Sequence, residues 1–141
     1  MDMERFEKRA LAHPDDIAML RNALVRHAEG LGADPEVCEA VRLTVSEALT
    51  NVVQHAYLGS DLGFMTVQAW LDEDNALVVL VLDDGHGLVP RVNSPGLGLG
   101  LGLMAQLADD FRIASRDGGA GTAVSLRFAL AGSRSVCGSA V

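Results

Sequence analysis

From Gly96 to Met104 the chain reads Gly-Leu-Gly-Leu-Gly-Leu-Gly-Leu-Met, and few folds have a use for such a segment. Inside a helix each glycine costs about 1 kcal/mol relative to alanine. In a plain linker, leucine at every second place has no purpose. The segment therefore asks for bare backbone beside an apolar surface. Glycines that run into a helix start expose backbone N–H groups, and the helix dipole favours an anion there. The demand extends beyond this run. The chain has 15 glycines, and those at 85, 87, 96, 98, 100, 102, 118, 119 and 121 crowd its second half. Two phosphate-binding patterns are excluded by inspection. There is no GxxxxGK[ST], and no register of these glycines gives GxGxxG. Lys8 is the only lysine, so mechanisms that need a P-loop or Schiff-base lysine farther along are excluded too. The HRD and DFG signatures of eukaryote-type protein kinases are missing.

The 141 residues suit one domain with a core that needs no disulfide or structural metal. Cys38 and Cys137 form neither a disulfide framework nor a CxxC metal motif. A reduced, cytoplasmic protein is expected. The net charge of −8 argues against binding nucleic acid or an anionic membrane through a basic patch. No apolar run is long enough to span a membrane, and the start, MDMERFEKR, has no signal-peptide core. The expected organisation is one domain over 1–130 and a disordered tail over 131–141.

Residues 4–12 alternate and predict a first strand. Pro14-Asp15-Asp16 opens a helix whose apolar positions, Ile17, Leu20, Leu24, Ala28 and Leu31, recur at 3–4 spacing. Asp34-Pro35 caps a second helix, expected to run to about Tyr57. Phe64 to Leu71 and Ala76 to Leu82 read as a hairpin across Asp72-Glu73-Asp74-Asn75, and the second strand, apolar throughout, as the more buried. A loop from Asp83 to Pro95 leads to a helix near Leu101. Strands at Phe111–Ser115 and Thr122–Leu130 flank an Asp117-Gly118-Gly119 turn. This order predicts an α+β fold with a mixed, mostly antiparallel sheet and helices on one face.

Three pieces carry chemistry. Glu47, Asn51 and His55 stand four apart on the second helix, on one stripe. Val41, Val45, Ala48, Val52 and Ala56 fill the neighbouring stripe, which should face the sheet. A carboxylate on that edge can take a proton, and an amide oxygen can bind a hard cation such as Mg²⁺. A solvated helix flank explains this stripe equally well. The second piece is a buried strand ending in Asp83, followed by Gly85 and Gly87. That carboxylate can accept from an exocyclic amine while the glycines let backbone approach a flat ring. Taken alone, it also reads as an ordinary Asp-Gly turn. The third piece is the glycine run itself.

Together these resemble one family. Glu47-Ala48-Leu49-Thr50-Asn51, Asp83-x-Gly85-x-Gly87 and Gly98-x-Gly100-x-Gly102 resemble the N box and two glycine boxes of the GHKL ATPases. Within that superfamily, VSEALTNVVQHAY (Val45 to Tyr57) and GLGLGLMAQLADDF (Gly98 to Phe111) are similar to the anti-sigma-factor serine/threonine kinases of the RsbW type. Each box is unspecific alone; their order and spacing together are specific, over about Ile17 to Leu130.

The resemblance implies a Bergerat-type two-layer sandwich that binds ATP and Mg²⁺. It implies Glu47 as general base, Asn51 as Mg²⁺ ligand and Asp83 as reader of the adenine amine, with Gly85 and Gly87 beside the ring. Gly98, Gly100 and Gly102 would wrap the phosphates. Thr122, after Gly121, would support Asp83 through water. His55 would touch phosphate or only pack. Arg21 matches an arginine on the family's partner-binding face, and a solvated helix arginine is an equal reading of it. One departure is the short lid: only Leu88 to Pro95 separates the two glycine boxes. The implied function is an anti-sigma factor that phosphorylates an anti-anti-sigma antagonist and otherwise holds a sigma factor, with a homodimer expected. The short lid motivates an alternative, a nucleotide-responsive binding switch without catalysis. A histidine-kinase catalytic fragment ranks below both, because no dimerisation helix with a phosphoacceptor His stands before these boxes.

Overall fold

Two prolines start the two long helices. Pro14 and Pro35 occupy first-turn positions, where a missing N–H costs nothing. In the computed structural model, which describes residues 5–57, 63–85, 99–116 and 120–130, α1 spans Pro14–Gly30 and α2 spans Pro35–Asn51. The Asp34 carboxylate caps α2 by accepting from the Val37 N–H at 2.9 Å. At α1 the cap is His13, whose Nδ1 accepts from the Asp15 N–H at 3.2 Å. The second helix does not finish as a plain α-helix. Its last turn, Val52–Ala56, widens to a π turn, a single-turn form common at functional sites. The five-residue hydrogen-bond spacing there interrupts the four-residue repeat between Asn51 and His55.

The strands are β1 (Phe6–Leu11), β2 (Phe64–Leu71), β3 (Ala76–Asp83), β4 (Asp110–Ser115) and β5 (Thr122–Ala129). With α3 (Leu99–Leu107) before β4, the element order is the one that the sequence pattern predicts. The sheet order is β1-β2-β3-β5-β4. Each of the four pairings is antiparallel, the limiting case of the mostly antiparallel sheet expected. The apolar strand β3 lies at the centre, as its composition implies. The Leu88–Pro95 lid, the Asp117–Gly119 turn and the tail from Ala131 lie outside the described residues.

Alternation separates the two faces. Leu77, Val79, Val81 and Asp83 of β3 are buried, with Val67 of β2 and Leu126 and Phe128 of β5. Against this face lie Leu20 and Leu24 of α1, Val41, Val45 and Leu49 of α2, and Met104 of α3. Each such side chain contributes roughly 1.5–3 kcal/mol of hydrophobic stabilisation. The stripe expected to face the sheet does so: Val41, Val45, Ala48, Val52 and Ala56 are all buried. On the other face arginines lie over aromatic rings. Arg5 sits 4.4 Å from the Trp70 centroid and Arg9 3.9 Å from that of Phe64, placing cations on π faces.

Candidate nucleotide site

Asp83 is the last residue of the central strand, and burial makes it unusual. Its relative exposure is 2%, where carboxylates are rarely found without a partner. The Gly85 N–H donates to Asp83 Oδ1 at 2.9 Å. Thr122, opposite Asp83 in the β3–β5 register, gives the carboxylate a second backbone N–H. Burial pushes the Asp83 carboxyl above its ordinary range; these two N–H groups oppose the rise, Asp84 adds to it and the Arg116 guanidinium opposes it. A buried carboxylate with a raised pKa marks a candidate site, and an ionised carboxylate has lone pairs beyond the two that these N–H groups use.

The turn after Asp83 is held from several sides. Gly85 lies against the end of the π turn so closely that a Cβ there would run into the Ala56 carbonyl. This contact joins the helix of Glu47 and Asn51 to the Asp83 turn. Gly121, at φ +91°, approaches the Asp83 carbonyl in the same way. The Tyr57 hydroxyl donates to the Phe64 carbonyl at 2.6 Å and accepts from the Asp84 N–H at 2.8 Å. Arg116 Nη1 donates to Asp84 Oδ1 at 2.6 Å and to the Asp83 carbonyl at 3.3 Å.

Glu47 and Asn51 occupy the end of α2, and His55 lies in the π turn; all three are half-buried. Gly100 and Gly102 are in the first turns of α3, and a Cβ at Gly102 would meet open space. Among the described residues, nothing packs against Gly102 closely enough to require bare backbone there. Gly87 and Gly98 lie outside the described residues. Arg21 is on α1, half-buried, with its Nε donating to Asn22 Oδ1 at 3.1 Å. Sequence reasoning assigns no role to Asp84 or Arg116, and places Tyr57 at a helix end and at the end of the VSEALTNVVQHAY motif without a role of its own. Their partners lie 27 and 32 positions away along the chain, a separation that no local pattern encodes. For Thr122 the reading was a hydroxyl acting through water; the structure adds a direct backbone N–H.

A cavity of about 420 Å³ lies away from the Asp83 turn, between the first half of α2 and the end of α3. Glu36, Glu39 and Asp109 stand around its apolar floor of Val37, Leu43, Leu107 and Phe128. Three carboxylates repel a polyphosphate, which speaks against this cavity as a phosphate site. Among the described residues no group of three or more His, Cys, Asp or Glu is arranged to hold a metal.

The fold and the Asp83 turn define an ATPase domain of the histidine kinase type. The chain belongs to that family: residues 10–128 match the histidine kinase-like ATPase domain. Its relatives include the serine-protein kinase RsbW of Bacillus cereus (strain ATCC 10987 / NRS 248), 33% identical, with 82% of each chain covered. RsbW of Bacillus mycoides (strain KBAB4) is 32% identical with the same coverage. A structure of the RsbU and RsbW domains of a Mycobacterium tuberculosis protein superposes with a TM-score of 0.70 at 24% identity. That match covers 89% of this chain and 32% of the other, so this chain spans about a third of that protein, and the likeness is one of fold. The histidine kinase domain of a blue-light activated histidine kinase from Erythrobacter litoralis gives 0.61 at 26% identity, over 83% of this chain and 64% of that one.

Proposed function

We propose that this chain is an anti-sigma factor of the RsbW type that moves the γ-phosphoryl group of ATP to a serine or threonine of an anti-anti-sigma protein. In its other state it holds a sigma factor. The observation that carries this reading is the buried Asp83 carboxylate, set at the end of β3 and in contact, through Gly85, with the helix that bears Glu47 and Asn51.

In this reading Asp83 accepts from the adenine amine, and Gly85 and Gly87 lie beside the ring. Gly98, Gly100 and Gly102 present N–H groups to the phosphates. Asn51 supplies an amide oxygen to Mg²⁺, which is normally held by one or two protein groups plus substrate phosphates and not by an all-protein cage. When bound, Mg²⁺ neutralises charge that develops on the phosphates. Glu47 takes the proton from the attacking hydroxyl. The new bond joins that oxygen to the γ-phosphorus, the bond to the β–γ bridging oxygen breaks, and ADP leaves. His55 is assigned to phosphate contact and Arg21 to the partner face. Thr122 supports Asp83. No helix among the described residues is long and apolar enough to cross a membrane; a cytoplasmic location is part of the proposal. A homodimer is part of the proposal, with mass by light scattering as its check.

Incubation with ATP, Mg²⁺ and the antagonist is expected to yield phosphoserine or phosphothreonine on the antagonist. Glu47→Ala is expected to reduce this at least about 100-fold, within the range for removal of a general base. Equal activity of Glu47→Ala and the parent sinks the kinase reading. The short Leu88–Pro95 lid supports a second reading, a nucleotide-responsive switch without transfer. It predicts Mg²⁺-dependent ATP binding by calorimetry with no phosphorylated antagonist.

A further inference from the structure

The geometry points to Tyr57 and Arg116 as positioning residues that fix the Asp83–Gly85 turn and thereby set a preference for a 6-amino over a 6-oxo purine. This rests on the reading of Asp83 as the acceptor of the adenine amine. Both residues act on the main chain of the turn or on Asp84, and the Asp83 carboxylate is bonded elsewhere, to the Gly85 and Thr122 N–H groups.

Tyr57 follows the π turn directly. Gly63 makes room for its ring, since a Cβ there would collide with the ring edge. Its hydroxyl bridges the first carbonyl of β2 and the Asp84 N–H, so it ties the end of the α2 segment to both flanks of the site. Arg116 comes from the opposite side. Its backbone N–H pairs with the Gly121 carbonyl at 3.2 Å, which anchors it to the strand carrying Thr122. Its guanidinium then reaches Asp84 Oδ1 and the Asp83 carbonyl. Three elements therefore converge on three residues: the end of the π turn, the end of β4 and the start of β5. A surface ion pair alone is worth little. This one combines a charge-assisted bond of 2.6 Å with a main-chain contact, so it restrains direction as well as distance.

The direction matters because a carboxylate distinguishes purines by hydrogen-bond polarity. A 6-amino group donates to it, whereas a 6-oxo group presents a second acceptor and is repelled. Sites built to accept from a substrate N–H reject analogues lacking it by large factors. That rejection depends on a carboxylate that cannot swing away. Releasing one tether lets it swing, at a cost to the matched purine and little or none to the mismatched one.

The test is equilibrium binding of ATP and ITP, each with Mg²⁺, to the full chain and to Tyr57→Phe, Arg116→Met and Arg116→Lys. The parent is expected to prefer ATP by at least about 100-fold. Tyr57→Phe and Arg116→Met are each expected to weaken ATP about tenfold, the effect of losing the one hydrogen bond between the purine amine and Asp83, and to change ITP less than about twofold. Arg116→Lys, which keeps the charge, should fall between the parent and Arg116→Met. If ATP and ITP weaken together, or neither changes, the tethers serve folding only and the inference is overturned. Should Tyr57→Phe fail to fold, the two Arg116 variants decide. A parent that binds neither nucleotide overturns the adenine reading and this inference with it. A parent that binds ATP without preferring it over ITP overturns the inference alone.

Discussion

The two ends of β3 are made from the same parts and behave in opposite ways. At the start of the strand, Asp72 Oδ1 accepts from the Asp74 and Ala76 N–H groups at 2.9 and 3.0 Å. Arg127 Nε donates to Asp72 Oδ2 at 2.8 Å, and Asn75 takes a positive φ of 59°. At the other end Asp83 also has two backbone N–H donors, an arginine close by and a positive-φ residue, Gly121. The difference lies in burial and in where the arginine goes. Burial raises the Asp72 carboxyl, but the Ala76 N–H, the Arg127 guanidinium and the Asp74 N–H outweigh it, and the net shift is down. At Asp83 burial wins, because Arg116 bonds to Asp84 and to the Asp83 carbonyl in place of the carboxylate. The hairpin end is complete within the chain. At the other end burial outweighs the groups that favour the charge, and in the proposed function a donor on the ligand adds to them.

The largest effect expected from this contrast is on nucleotide binding. Asp83→Asn turns half of the acceptor into a donor and should weaken ATP at least about 100-fold, since polar groups built to match a ligand discriminate strongly. Asp72→Asn should leave ATP affinity within about twofold. Calorimetry on both variants checks the pair. Equal losses at the two ends break the comparison.

How much of this was legible in the sequence follows the range of the interactions. The helices were readable because Pro14, Asp34 and Pro35 act locally, and the strands because alternation is local. The hairpin was readable because Asp72 and Asn75 are four-residue turn chemistry. Asp83 stood out as a carboxylate ending an apolar strand. Nothing in the 35–57 pattern announces the π turn, because Val52 and Ala56 satisfy an α-helical stripe equally well. The bridge from Tyr57 to Asp84 and that from Arg116 to Asp84 are products of tertiary packing. An arginine before a glycine turn looks like any surface arginine until the sheet brings it beside β3.

The second prediction separates the positive-φ positions at the two ends of β3, Asn75 and Gly121. Gly121→Ala meets both an unfavourable φ and the Asp83 carbonyl, and should cost about 2–3 kcal/mol in urea unfolding. Asn75 occupies the ordinary left-handed region. Asn75→Ala should cost about 1 kcal/mol there, and Asn75→Gly should be close to neutral. If Gly121→Ala is as mild as Asn75→Ala, the close approach at the Asp83 end is relaxed and the turn is not rigidly held.

The smallest effect is in the pH dependence of stability, and the two aspartates contribute with opposite sign. The folded pKa of Asp72 is lowered from 3.8. Its stabilisation is therefore complete above that value and is lost as pH falls through the folded pKa, because the unfolded chain takes up the proton first. The folded pKa of Asp83 is raised from 3.8. The native state takes up that proton first, so Asp83 makes folding relatively more favourable as pH falls through its raised pKa towards 3.8. Unfolding midpoints measured from pH 7 down to pH 3 should thus show a shallower acid loss below 3.8 in Asp72→Asn. In Asp83→Asn the loss on acidification above 3.8 should be steeper than in the parent, because the compensating proton uptake is gone. ATP affinity of the parent should fall across the same upper window, as the Asp83 carboxylate that accepts from the amine is protonated. If Asp83→Asn and the parent respond alike above 3.8, the charge at that end of β3 is already compensated within the chain, and the two ends do not differ as described.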